Sequence, residues 1–324
     1  MNWSFTRCRS VRIALVLIAI CVVPFAASRL ASPWRCVSIH TTDRLPEPQD
    51  ATPGQQLRVA SYNIAHGRGL VDSNWDGGSS VERLRRLDEI ADLLREMDAD
   101  IVILNEVDFE SSWSHSVNQA RYLAEHAGYP YWVEQRNYDF RILTWTWRFG
   151  NAVLSRHPVS EADVIPLPGF AAWETTLAGK KRGVDCEITV RGQPVRVIGA
   201  HLSHRSESLR VNSARVLSEI VSSSRIPAIV AGDMNSTPSG FPRSITTTDG
   251  ANAMDTLDAC GWFRRSPAQV TNDEVGFTFH SARPRSIIDW ILIPRRWDFL
   301  RYEVLASGLS DHRPIIADVS PATD

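Results

Sequence analysis

The sequence predicts an α/β protein in which two β-sheets pack together with helices on the outside, and three observations predict it. Short apolar runs bounded by turn residues recur along the chain, only two stretches carry a clear helical stripe, and no second linker interrupts the chain behind residue 57. Mixed strands with few helices over such a length need two sheets, because one sheet leaves too many apolar faces uncovered.

The strand candidates are Arg58–Ile64, Asp100–Val107, Asn151–Arg156, Val184–Val190, Pro194–Leu202, Ala228–Gly232, Ile287–Ile293 and Pro314–Val319. Ser79-Ser80-Val81-Glu82 forms a capping box ahead of the first helix. Leu84, Leu87, Ile90, Ala91, Leu94 and Met97 then recur at helical spacing. The second helix, Glu207 to Ser223, gathers Leu209, Val216, Leu217, Ile220 and Val221 on one face. From Tyr138 to Phe149, Leu143, Trp145, Trp147 and Phe149 alternate with polar and apolar neighbours. That pattern reads as a half-buried strand with an aromatic face, or as an aromatic loop recognising a base, a lipid headgroup or a sugar.

Ahead of this domain, expected over 58–320, lie two other segments. Arg7, Arg9 and Arg12 precede an uncharged apolar run from Ile13 to Ser28, with Ala26 and Ser28 as small residues for cleavage. Residues 1–36 therefore read as a signal peptide or a membrane anchor, and the catalytic part is expected to be exported: secreted, periplasmic or held on the outer side of a membrane. Residues 37–57, with Pro46, Pro48, Pro53 and Gly54, read as a flexible linker.

A net charge of −2 offers no electrostatic case for tight duplex-DNA binding. The basic residues are unevenly split: Lys180 and Lys181 are the only lysines among 35 basic side chains. The five cysteines show no metal-ligand spacing, so a structural zinc site is not expected, and loss of the leader would leave Cys36, Cys186 and Cys260 with at most one disulfide.

The chemistry lies where the strands end. Asn63, Glu106, His201 and the pair Asp233 and Asn235 each close an apolar run, whereas structural polar residues would alternate along it. Asp311-His312 stands just before the last strand, and Asp289 interrupts the apolar run Ile287–Ile293. A buried acid there needs a partner, and holding a histidine in one tautomer is the obvious use. Carboxylate and amide oxygens favour a hard cation, Mg²⁺ or Mn²⁺, over zinc. Four polar residues look like loop residues: His66 and His204 as exposed histidines, Asp72 and Asp108 as solvated acids.

The ordered set Ser-Tyr-Asn63, Leu-Asn-Glu106, Gly150-Asn151-Ala-Val-Leu-Ser-Arg156, Gly-Ala-His201-Leu, Gly-Asp233-Met-Asn235-Ser, Ile-Asp289-Trp-Ile and Ser-Asp311-His312-Arg-Pro resembles the endonuclease/exonuclease/phosphatase superfamily. The match runs from about Val59 to Val319. The resemblance implies a four-layer α/β/β/α sandwich of two mixed sheets and a metal-dependent phosphoesterase. It implies Glu106 as principal metal ligand, supported by Asn63 and Asp311. His312, oriented by Asp289, would activate water, Asp233 and Asn235 would position nucleophile and phosphate, and His201 would stabilise the phosphoryl oxygens. Asn151 is expected either to bind the substrate phosphate or to satisfy backbone groups beside the Gly150 turn. One departure is Asn105, where many members carry Gln. A phosphate ester is the expected partner, whether nucleic acid, lipid headgroup or small molecule, and the chain is expected to be monomeric, with membrane attachment through its N-terminus if that segment is an anchor and not a cleaved signal. A non-catalytic binding module on the same fold is disfavoured, because every expected polar position is filled.

Overall fold

A computed structural model describes residues 36–43, 56–142, 144–171, 179–271 and 273–321, together with 11–13, 15–16, 18–20 and 22–27. Among the described residues, thirteen strands form two mixed sheets. The seven-stranded sheet has the order β1 (Val37–Thr41), β4 (Tyr131–Ile142), β5 (Trp145–Ser155), β3 (Ile101–Asp108), β2 (Leu57–Asn63), β13 (Ile315–Ser320) and β12 (Asp298–Val304). The six-stranded sheet has the order β10 (Phe263–Arg265), β11 (Asp289–Pro294), β9 (Ala228–Asp233), β8 (Gln193–His201), β7 (Arg182–Val190) and β6 (Val159–Pro166).

Three apolar layers hold these parts together. Val59, Ile101, Ile103, Val153, Val197, Ile229 and Ile291 pack between the two sheets. The outer face of the first sheet, with Tyr62, Val102 and Leu104, is covered by α1 (Ser80–Met97) and α2 (Gln119–Ala127). The outer face of the second, with Ile198, Val230 and Trp290, is covered by α3 (Glu207–Ser222) and α4 (Ala253–Ala259). The predicted four-layer α/β/β/α sandwich is what the chain forms. α1 begins as predicted: the Ser79 side chain accepts from the Glu82 N–H while Glu82 reaches back to the Ser79 N–H.

Each sheet is centred on one parallel pair, β2 beside β3 and β8 beside β9, with α1 and α3 as the crossover helices. Parallel strands place both carboxyl ends on the same edge, which is where open α/β sheets build their sites.

Several elements lie outside the sequence expectation. Residues 37–41 are not linker but an edge strand, paired antiparallel with β4 from Val37↔Gln135 to Thr41↔Tyr131. The rest of the expected linker lies largely outside the described residues. The aromatic segment is a hairpin rather than one strand, with Tyr138↔Phe149 and Phe140↔Trp147 in register. Strands β6 and β12 were not legible because they are edge strands with mostly exposed or half-buried residues, so their apolar alternation is weak. The described residues between 11 and 27 are helical, and Phe25 meets Phe140 with ring centroids 5.4 Å apart. Among the described residues no helix is long and apolar enough to cross a membrane. Cys36, Cys186 and Cys260 form no disulfide.

Candidate active site

Two bulges and two glycines shape the carboxyl edge of the strands. In the β3–β5 ladder Asn105 faces Asn151 and Val107 faces Gly150, so Glu106 is an extra residue, held at φ 52°. In the β4–β5 ladder Asn137 is extra in the same way. Both irregularities meet at Gly150, where a Cβ would lie 1.9 Å from the Gln135 carbonyl oxygen. Gly232, at φ 139°, leaves the same 1.9 Å to the Ala200 carbonyl oxygen, so β8 and β9 close tightly just before His201 and Asp233.

From these strand ends the predicted residues converge. His312 Nδ1 lies 2.9 Å from Asp289 Oδ2, and Asp289 is fully buried at the start of β11, not inside it. On its other side, His312 Nε2 lies 3.7 Å from Asp233 Oδ2 and 3.4 Å from Asn63 Nδ2. Asn63 donates to Asp233 Oδ2 at 3.1 Å, and His201 Nε2 approaches the same oxygen at 3.5 Å. The Asn235 N–H donates to Asp233 Oδ1 at 2.9 Å, and the Asn235 amide donates to the Leu202 carbonyl at 3.2 Å.

Glu106 and Asp311 form the neighbouring group. Both carboxylates are gripped by one guanidinium, Arg68, at 3.1 Å and 3.0 Å. The Arg68 Nε–H donates to the Val71 carbonyl at 2.7 Å, which fixes the side chain in its loop. Arg68 thus ties the two carboxylates together through its two terminal nitrogens.

Electrostatics separate the roles. Burial alone would raise the Glu106 carboxyl, but His66, His201, Arg68 and His312 together hold it well below the usual carboxylate range. Burial and then Lys181 push His201 well below its ordinary value, so its imidazole is neutral at neutral pH. Burial disfavours the charged form of His312, yet Asp289 and Asp233 outweigh it and raise its pKa. Burial likewise raises the Asp233 carboxyl, against the pull of His312.

Of the two roles expected of Asn151, substrate binding and satisfying backbone groups, its contacts match the second. It is fully buried, its Oδ1 accepts from Asn105, and its amide N–H groups donate to Gln135 Oε1 at 2.7 Å and the Arg182 carbonyl at 3.0 Å. With both donors committed inside the protein it holds the scaffold: Asn105, which it supports, accepts from the Asp233 N–H at 2.8 Å. Asn105 therefore positions Asp233 as well as preceding Glu106 in β3.

Two residues read as loop groups belong to the site. Asp108 is fully buried, not solvated, and bonds His66 Nδ1 at 2.7 Å and accepts from the Trp113 indole N–H at 2.7 Å. His66 in turn places Nε2 3.5 Å from Glu106. This second aspartate–histidine pair lies beside Glu106 as Asp289–His312 lies beside Asp233. From His66 a run of rings leads outward through Phe149 and Trp113 to Trp147 on one side and to the half-exposed Trp75 and Trp145 on the other.

The comparisons agree with this architecture. The model of the Endonuclease/Exonuclease/phosphatase family matches residues 60–312. The chain belongs to that family. A solved endonuclease/exonuclease/phosphatase from Beutenbergia cavernae DSM 12333 is 21% identical, with a TM-score of 0.59 over 83% of this chain and 72% of that one. The mannosyl-6-phosphatase Bt3783 of Bacteroides thetaiotaomicron VPI-5482 is 18% identical, with a TM-score of 0.57 over 81% and 99%. The human Nocturnin catalytic domain, solved with a bound sulfate anion, is 17% identical, with a TM-score of 0.57 over 86% and 99%. At these identities the likeness is one of fold. No curated protein matches the sequence. Family members are phosphoesterases, and phosphoester hydrolysis is the chemistry this family site serves.

Proposed function

We propose that the chain is a divalent-metal-dependent hydrolase of phosphodiester or phosphomonoester bonds. The observation that carries this reading is the pairing of two sub-sites: an oxygen-lined anionic pair, Glu106 and Asp311, beside a buried Asp289–His312–Asp233 relay. The first fits Mg²⁺ or Mn²⁺, with Asn63 in support, because it offers hard oxygen ligands already spaced around one cationic group. Asp233, Asp289 and His312 also bring ligand atoms within 4.8 Å of one another. His312 Nδ1, however, is committed to Asp289, which favours Glu106 and Asp311 as the metal pair and leaves the relay for protons.

A bound divalent cation would polarise the phosphoryl oxygens and neutralise their charge. The chain's own groups do the rest. Asp289 holds the His312 ring with Nε2 turned towards Asp233 and Asn63, and there the neutral imidazole would accept a proton from attacking water. Positive charge close to the ring lowers the raised pKa and frees that nitrogen. Asn63 and Asp233 orient the water side, and neutral His201 donates to a phosphoryl oxygen. EDTA is expected to abolish hydrolysis of bis-p-nitrophenyl phosphate, and His312→Ala to lower kcat by about a hundredfold or more. Activity that survives both changes refutes the mechanism.

Export is also part of this reading, supported by the Arg7, Arg9 and Arg12 flank of the apolar run. N-terminal sequencing of the mature protein distinguishes a cleaved signal from a retained anchor.

A further inference from the structure

The guanidinium that ties Glu106 to Asp311 is carried by a loop whose backbone is pinned on several sides. The Arg68 backbone N–H donates to the Ala65 carbonyl at 2.9 Å, and its Nε–H to the Val71 carbonyl at 2.7 Å. Two arginines of α1 hold the loop from behind: Arg86 donates to the Gly67 and Gly77 carbonyls at 2.8 Å and 3.1 Å, and Arg83 to the Asn74 carbonyl. Gln119 of α2 donates to the His66 carbonyl at 2.8 Å. The terminal nitrogens of Arg68 contact side chains instead. Nη1 reaches Glu106 at 3.1 Å and Asn74 Oδ1 at 3.5 Å, and Nη2 reaches Asp311 at 3.0 Å. The loop therefore fixes where this side chain starts, while its fork is held by the two carboxylates assigned above to the metal.

Arg68 and the divalent cation thus compete for the same oxygens. Mg²⁺ takes carboxylate oxygens at about 2.0–2.1 Å, closer than any N–H···O bond and with twice the charge, so the exchange favours the metal. The anchored loop then keeps the guanidinium near the site, where its side chain is only 12% exposed and the neighbouring metal repels it. The negative charge that answers both cations is the phosphoryl group drawn to the same metal. A planar guanidinium fork matches two phosphate oxygens at once.

We propose that Arg68 is a ligand of the substrate phosphate, held by Glu106 and Asp311 until the divalent cation takes those carboxylates and then turned onto the phosphoryl oxygens. One charge serves two steps: it offsets the repulsion of the carboxylate pair before the exchange and neutralises phosphate after it. Metal and oxyanion consequently bind cooperatively, each tightening the other by the same factor. This rests on the phosphoesterase reading above, with Glu106 and Asp311 as the metal pair.

Calorimetric titration of inorganic sulfate, an unreactive tetrahedral oxyanion, tests it on wild type, Arg68→Met and Arg68→Lys, each with EDTA and with saturating Mn²⁺. The direct attraction of sulfate to the metal is common to all three and cancels when the gains on loading are compared. Loading is expected to raise the sulfate affinity of wild type by about tenfold more than that of Arg68→Met, the worth of a charge-assisted contact made only after the exchange. Arg68→Lys, which keeps the charge but not the fork, is expected to fall between them. Mn²⁺ titration of each variant reports that its site is folded, and Arg68→Lys carries the comparison if Arg68→Met does not fold. Equal gains in wild type and the variants overturn the proposal, as does a Mn²⁺-loaded wild type that binds no sulfate. Failure of wild type to bind Mn²⁺, or to hydrolyse bis-p-nitrophenyl phosphate once loaded, overturns the phosphoesterase reading instead.

Discussion

The Asp108–His66 pair is the part of the site whose energetic weight follows most directly from geometry, and Asp108→Asn measures it. Asp108 is fully buried, with one carboxylate oxygen 2.7 Å from His66 Nδ1 and the other 2.7 Å from the Trp113 indole N–H. An asparagine fills the same space but turns one acceptor into an N–H₂ group, which then points at a donor. The charge-assisted bond is lost at a cost of about 1.5–3 kcal/mol, and a stranded buried donor adds about 1–3 kcal/mol. The sum agrees with the roughly 3–5 kcal/mol typical of breaking one side of a buried pair. For a domain of this size that corresponds to a fall in Tm of roughly 6–20 °C.

The pH dependence has a definite sign. Burial works against the charged form of His66, but Asp108 outweighs it and leaves the pKa raised. A raised folded pKa contributes stability that is fully present below the unfolded value, about 6.5, and is lost as pH rises through the folded value. The Tm gap between wild type and Asp108→Asn, measured calorimetrically with EDTA present, is therefore larger at about pH 6 than at about pH 9. A gap below about 2 °C, or one that widens as pH rises, refutes the assignment.

Two further perturbations test other joints of the site. Gly232→Ala places a Cβ 1.9 Å from the Ala200 carbonyl oxygen and 2.9 Å from Asn105 Oδ1, at φ 139°. It is expected to cost about 3 kcal/mol or more and to displace Asp233, seen as a lower Tm together with lost turnover. An unchanged Tm would show that β8 and β9 can separate there at no cost. Arg68→Met removes the guanidinium held by Glu106 and Asp311, so Mn²⁺ no longer displaces a resident cation. Isothermal titration is expected to give about tenfold tighter Mn²⁺ binding, and weaker binding would place the metal elsewhere.

Most of the site's membership was legible because it sits on strand ends. Asn63, His201 and Asp233 follow apolar runs, and a strand carries its last residue wherever the sheet edge lies. Asp108 was not legible, and the reason is the bulge at Glu106. In β3, Ile101 and Ile103 face the other sheet while Val102 and Leu104 face the helices. Strict alternation would then continue inward at residues 105 and 107 and turn residue 108 outward. The extra residue shifts the register by one, so Val107 packs with the helix-facing core and Asp108 turns to the cleft side to meet His66.

The same irregularity explains why two carboxylates so close in sequence have different duties. Glu106, looped out at φ 52° and partly exposed, presents its oxygens to Arg68 and the cavity. Asp108, two residues on, is sealed beneath His66 and Trp113. Asn151 shows the converse case, in which a motif position is kept but its side chain is spent inward. Its amide is consumed by Asn105, Gln135 and Arg182, and its influence on chemistry passes through Asn105 to the Asp233 N–H. Sequence spacing identifies which residues gather at this edge, but the bulges at Glu106 and Asn137 decide which of them face the cavity and which hold the others in place.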